Sequence, residues 1–167
     1  PPYSSAASDV YKRQTWWPQV FLGITFNWGA LLGWLSLSND FSSIYPILLY
    51  LACIFWTVGY DTIYAHQDKD DDIVLNLKSS AIKLGENTKN ALLIFYAIFF
   101  IIFAVILFSL SNSIILHLAI LSLLIHLVFQ IIYLDIDNSD RCLKIFKSNN
   151  LLGLQISFFL ILELVIN

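Results

Sequence analysis

The sequence predicts an all-α, polytopic integral membrane helical bundle, and three observations predict it. Of 167 residues, 58% are hydrophobic and only 13% are charged, with a mean hydropathy of +0.73. An ordinary soluble domain carries about twice that charge, roughly 25% of its residues. The apolar residues form five continuous runs rather than an alternating pattern, so helices are the only spanning form open to them. All nine Lys and Arg residues precede the first run or lie in the connections after the second and fourth. That is one side of a five-span arrangement, and the positive-inside rule makes it the cytoplasmic or matrix side.

Residues 1–14 are small and polar without helical periodicity. They are expected to be a disordered, non-native leader, with residues 15–167 forming the membrane domain. The first run, 16–37, has Trp16, Trp17 and Trp34 near its ends, as interfacial aromatics are placed. Asn27 lies near its middle. A polar side chain in lipid needs a partner, so Asn27 is expected to face the bundle interior, as a substrate contact or an interhelical hydrogen bond.

The second run is 44–60, the third 90–110, the fourth 113–134 and the last 150–166. Each is close to the ~20 residues that cross a bilayer core. The second and last are short and are expected to extend into their polar neighbours. His117 and His126 fall on different helix faces, which predicts satisfied histidines rather than a metal pair. Glu163, near the end of the last run, is expected to be structural. Cys53 lies in an apolar run and Cys142 in a polar connection, so both read as free thiols. No basic stripe is present for nucleic acid.

The chemistry concentrates after the second run, in Tyr60-Asp61-Thr62-Ile63-Tyr64-Ala65-His66-Gln67-Asp68-Lys69-Asp70-Asp71-Asp72, with five aspartates inside twelve residues. Like charges so close at a membrane edge are costly unless a cation shares them. If the segment is one helix, Asp61, Tyr64, Asp68 and Asp72 share a face through spacings of 3, 4 and 4. Asp68 and Asp72 are then roughly 6 Å apart along the axis. Such a pair suits a hard cation whose other ligands are water and phosphate oxygens. Asp68 and Asp72 are therefore the first candidate metal ligands, with Asp61 next. Lys78 and Lys83 follow closely and are candidate diphosphate contacts, because cationic groups stabilise charge that builds on a leaving group. A solvated acidic loop is the plainer reading of the same residues.

The segment Tyr60–Ala65 through Asp68–Asp72 resembles the second aspartate-rich motif of the UbiA prenyltransferases. Thr15-Trp16-Trp17-Pro18-Gln19, Phe26-Asn27-Trp28-Gly29-Ala30, Gly33-Trp34, Lys78-Ser79-Ser80-Ala81-Ile82-Lys83-Leu84-Gly85 and Lys147-Ser148-Asn149 extend the resemblance, closest to the branch acting on 4-hydroxybenzoate. It runs from about residue 15 to the end, and corresponds to the C-terminal five helices of a fold with about nine. The family's first aspartate-rich motif has no counterpart in this chain, so the resemblance implies a part of a longer parent that is inactive alone.

What the resemblance implies is Mg²⁺-dependent transfer of a polyprenyl group from polyprenyl diphosphate to the ring of 4-hydroxybenzoate, in ubiquinone synthesis within a bacterial or mitochondrial inner membrane. Diphosphate departs, an aromatic ring carbon attacks the allylic cation, and water is kept out. Asp61, Asp68 and Asp72 are then the expected metal-diphosphate ligands, and Asp61 has the alternative of orienting the acceptor phenol. Tyr64 either donates to a diphosphate oxygen, lines the cation pocket or packs at the interface. The rival expectations are another aromatic acceptor, a non-catalytic membrane fragment, or a cation-binding membrane protein.

Overall fold

The computed structural model describes residues 13–37 and 42–167. Residues 1–12 of the expected leader lie outside the described residues, and Arg13 and Gln14 are helical and exposed. The first span is two helices, α1 (Pro18–Phe26) and α2 (Trp28–Leu37), broken at Asn27. The Asn27 amide donates to the Gly23 carbonyl at 2.7 Å, which also receives the Asn27 backbone N–H at 3.3 Å. A side chain that competes for a helix carbonyl in this way bends the helix. Pro18 sits in the first turn of α1, where its fixed φ is already helical.

The second span is α3 (Tyr45–Ala65). Two short helices follow, α4 (Lys69–Val74) and α5 (Ser80–Leu84). A 3₁₀ turn, Gly85–Asn87, leads into α6 (Thr88–Leu110). The last two spans are α7 (Ile114–Tyr133) and α8 (Ser139–Ile166). Five helical stretches are long and apolar enough to cross a membrane. Four match the expected runs closely or extend them a short way. The fifth begins at Ser139, so Arg141, Lys144 and Lys147 belong to its first turns rather than to a loop. The last two helices begin after residues that satisfy otherwise orphaned N–H groups. Ser113 accepts from Leu116 N and Asn138 from Arg141 N, capping α7 and α8.

α3 is the central element: it packs against α1, α2, α6 and α8, most extensively against α6. Gly59 makes that approach possible, because a Cβ there would stand 2.3 Å from the Tyr96 ring. Around this seam Leu92, Tyr96, Phe99, Leu116 and Leu123 are buried. α7 and α8 pair with each other and close the bundle.

A polar network crosses the bundle between these helices. Tyr96 OH donates to Gln130 Oε1 at 2.5 Å, and Gln130 Nε2 donates to Ser148 Oγ and Asn149 Oδ1, both at 3.1 Å. Trp56 Nε1 donates to the same Asn149 oxygen at 2.9 Å. His126 Nε2 pairs with Ser148 Oγ at 3.2 Å, whereas His117 bonds the Ser113 carbonyl one turn back in α7. In lipid each such group needs an internal partner, and these four helices supply one another. Ser113 also donates to Glu163, which ties the α6–α7 connection to the far end of α8.

Candidate functional site

At the other end of the bundle α3 stops short. His66 N bonds the Ile63 carbonyl at 3.2 Å and Gln67 N the Tyr64 carbonyl at 2.8 Å, a tightening that ends the helix at Ala65. Asp68 then has φ −101° and ψ 7° and starts α4. The single long helix that would align four residues on one face is therefore interrupted. α4 ends within two turns. Leu77 N returns to the Asp72 carbonyl at 2.8 Å and Asn76 N to Ile73 at 3.1 Å, with Asn76 at φ 53°. That is a Schellman ending with asparagine in the left-handed position.

Between α1, the end of α3 and the start of α5 lies a cleft of about 370 Å³. Its polar wall is Asp61 and Tyr64 from α3, Asp68 from the turn, and Ser79 and Ser80 at the start of α5. Its apolar wall is Pro18, Phe21 and Leu22 of α1 with Ala65 of α3, and Gln19 and Thr25 complete it. The break after Ala65 thus keeps Asp61, Tyr64 and Asp68 on one cavity although they do not share one helix.

Asp72 is placed differently. It is 2% exposed and is not among the residues lining the cleft. Its backbone N–H bonds the Asp68 carbonyl at 2.9 Å, so it stays one turn from Asp68 in chain path. Lys78 is half-buried beside Ser79, and Lys83 is exposed with its ammonium 5.7 Å from the Trp16 ring centre. Neither lysine lines the cleft. Asn27 gives its amide hydrogens to Gly23 and to Thr57 Oγ1, the latter at 2.9 Å, and so ties α1 to α3.

The Tyr64 ring packs on Phe146 of α8, centre to centre 4.8 Å. Phe146 also meets Tyr60, and Tyr60 meets Trp56, so an aromatic column backs the cleft along α3. Gln19 is 2% exposed and donates to Thr62 Oγ1 at 3.1 Å, which pins the first turn of α1 to the cleft wall. Beneath the turn, Thr88 Oγ1 donates to the Gly85 carbonyl at 2.7 Å and so accepts from His66 Nε2 at 2.9 Å. His66 is buried, and burial, helped by the Lys69 charge, lowers its pKa from the usual 6.5 to about 4. It is neutral at pH 7.

Four polar residues of the cleft carry no role in the sequence reading: Gln19, Thr25, Ser79 and Ser80. The signal available for Gln19, Ser79 and Ser80 was only their place inside segments that resemble the UbiA family. The chemistry of the wall is oxygen-based. Carboxylates, a phenol and hydroxyls suit a hard cation and do not suit a soft one. Among the described residues no group of three or more His, Cys, Asp or Glu converges as a metal site.

The chain is thus a five-span helical membrane bundle with an acidic, half-apolar cleft at one end. The model of the UbiA prenyltransferase family matches residues 3–159, and the chain belongs to that family. It is 43% identical over 143 residues to the mitochondrial 4-hydroxybenzoate polyprenyltransferase of Caenorhabditis elegans, covering 86% of this chain and 40% of the relative. The Drosophila melanogaster protein of the same name is 43% identical over 145 residues, covering 87% and 37%. The Homo sapiens one is 40% identical over 153 residues, covering 92% and 41%. The chain thus spans about two-fifths of the length of these curated relatives. No solved structure matches it significantly.

Proposed function

We propose that this chain carries the second acidic motif of an enzyme that transfers a polyprenyl group from polyprenyl diphosphate to the ring of 4-hydroxybenzoate, in ubiquinone synthesis. The observation that carries the reading is the convergence of Asp61, Tyr64 and Asp68 on one cleft whose opposite wall is apolar. The curated relatives, which bear the name 4-hydroxybenzoate polyprenyltransferase, support the same substrates.

Asp61 and Asp68 are the residues that would hold Mg²⁺, with Asp72 steadying the turn from one helical turn away. A bound Mg²⁺ supplies positive charge to the diphosphate oxygens as the bond to the prenyl chain breaks. The chain's own residues do the rest. Phe21 and Leu22 offer apolar surface to the isoprenoid and exclude water from the reacting carbon. Tyr64, braced by Phe146, presents a phenol at the polar wall. Lys78 and Lys83 raise the local potential without lining the cleft, and Asn27 acts by fixing α1 against α3. The positive-inside rule puts the cleft on the cytoplasmic or matrix face of an inner membrane.

The test is prenyl transfer in membranes. The chain, joined to the part of the C. elegans relative that it does not match, is supplied with Mg²⁺, a polyprenyl diphosphate and radiolabelled 4-hydroxybenzoate. Prenylated 4-hydroxybenzoate is expected, and Asp68→Ala should slow its formation by about 10²-fold or more, the usual cost of losing one electrostatic contact to the reacting group. Undiminished transfer by Asp68→Ala, or no product where the intact relative is active, refutes the reading.

A further inference from the structure

Ser80 is the least explained residue of the cleft. It is 0% exposed, and its Oγ has no hydrogen-bond partner among the described residues. A buried hydroxyl in that state destabilises the fold, and native structures seldom keep one without a use. Its neighbours differ. Ser79 Oγ accepts from Ile82 N and so caps α5. Thr25 Oγ1 donates back to the carbonyls of Phe21 and Leu22, and Gln19 donates to Thr62. The ionised carboxyl groups of Asp61 and Asp68 only accept. An anionic oxygen entering this cleft therefore meets acceptors and committed donors at most positions, apart from the Tyr64 phenol at the polar wall and the partnerless hydroxyl of Ser80.

We propose that the Ser80 hydroxyl is a substrate-binding donor of the cleft, hydrogen-bonding an outer oxygen of the diphosphate. This deepens the function proposed above and rests on it. The chemistry Ser80 reads is an oxyanion, which the diphosphate and the carboxylate of 4-hydroxybenzoate both offer. The diphosphate is favoured because Ser80 lines the same wall as the two carboxylates that would hold the cation. A donor that is unpaired before substrate binds has two consequences of opposite sign. Removing it relieves the empty protein and weakens the complex.

The test uses the 167-residue chain in lipid nanodiscs, titrated with inorganic pyrophosphate in the presence of Mg²⁺ and, separately, with 4-hydroxybenzoate. Ser80→Ala should raise the Kd for pyrophosphate by about tenfold or more, the range for a hydrogen bond to a charged group, while leaving that for 4-hydroxybenzoate in place. Its unliganded Tm should match or exceed that of the wild type. Ser80→Thr, which keeps the hydroxyl, should bind pyrophosphate nearly as well as the wild type. If Ser80→Ala binds pyrophosphate unchanged, loses 4-hydroxybenzoate instead, or melts lower without ligand, the assignment of Ser80 is wrong while the proposed reaction stands. If the wild-type chain binds no Mg²⁺-pyrophosphate, the assignment fails with it, and the transfer assay decides separately whether the reaction fails too.

Discussion

The middle of the bundle and its acidic end treat buried polar groups in opposite ways. In the middle, Trp56, Tyr96, Gln130, Ser148 and Asn149 bond one another across four helices. At the acidic end the accounts are left open. Among the described residues four buried side-chain polar atoms lack a partner, and three of them, His66 Nδ1, Gln67 Oε1 and Ser80 Oγ, lie between residues 66 and 80. The fourth is Trp34 Nε1. Saturated polar groups in a low-dielectric interior hold helices in one arrangement. Unsaturated ones raise the energy of the empty protein and favour whatever later supplies a partner. The middle is built for stability, and the open groups at the end suit the binding role proposed for it.

Breaking the network should have the largest effect on stability. Gln130→Ala strands Tyr96 OH and removes both amide contacts to α8, and should lower unfolding free energy by about 2–5 kcal/mol in a reversible detergent titration. A loss under about 0.5 kcal/mol would mean that the network does not hold the helices.

The acidic end should respond to pH instead. The unfolded chain takes up a proton at His66 near pH 6.5, but the folded protein does so only near pH 4. The unfolded state thus binds more protons in that window, and stability contributed by neutral His66 is lost as pH falls through it. His66→Gln should remove this component. The wild-type Tm minus the variant's should therefore shrink by a few degrees between about pH 7 and pH 4.5. A difference that stays constant with pH would show that His66 does not report on this region.

The smallest effect belongs outside both regions. Arg141 and Asp135 form an ion pair at 3.3 Å with both side chains largely exposed. Arg141→Ala should change stability by no more than about 0.5 kcal/mol, since water screens such a pair and the Asn138 cap uses the Arg141 backbone. A larger loss would extend the rigid region into the α7–α8 connection.

Much of the fold was legible because lipid imposes a simple rule on sequence: a spanning segment is long, apolar and helical. The acidic motif was legible as well, since charge is conspicuous in such a chain. The interruption of α1–α2 was not. Asn27 reads as a buried polar residue, but which carbonyl it takes depends on Gly23 and on Thr57 of another helix. The fate of Asp72 was equally hidden. Periodicity places it beside Asp68, and its N–H does bond the Asp68 carbonyl one turn back, but Asp72 is buried and is not among the residues lining the cleft. Ser80 gave no sequence signal of its own, because whether a serine is paired or partnerless is a matter of its neighbours in space.

The sequence by itself determined that this chain enters a membrane as five helices, with five of its twelve carboxylates gathered at one end of the second. Hydropathy and charge are properties of residues one at a time, or of their period along a helix, and no neighbour can overrule them in lipid. Tertiary structure decided which polar groups meet. Hydrogen bonds act over about 3 Å and need defined angles, so the pairing of Gln130 with Asn149 and the partnerless hydroxyl of Ser80 exist only once the helices have packed.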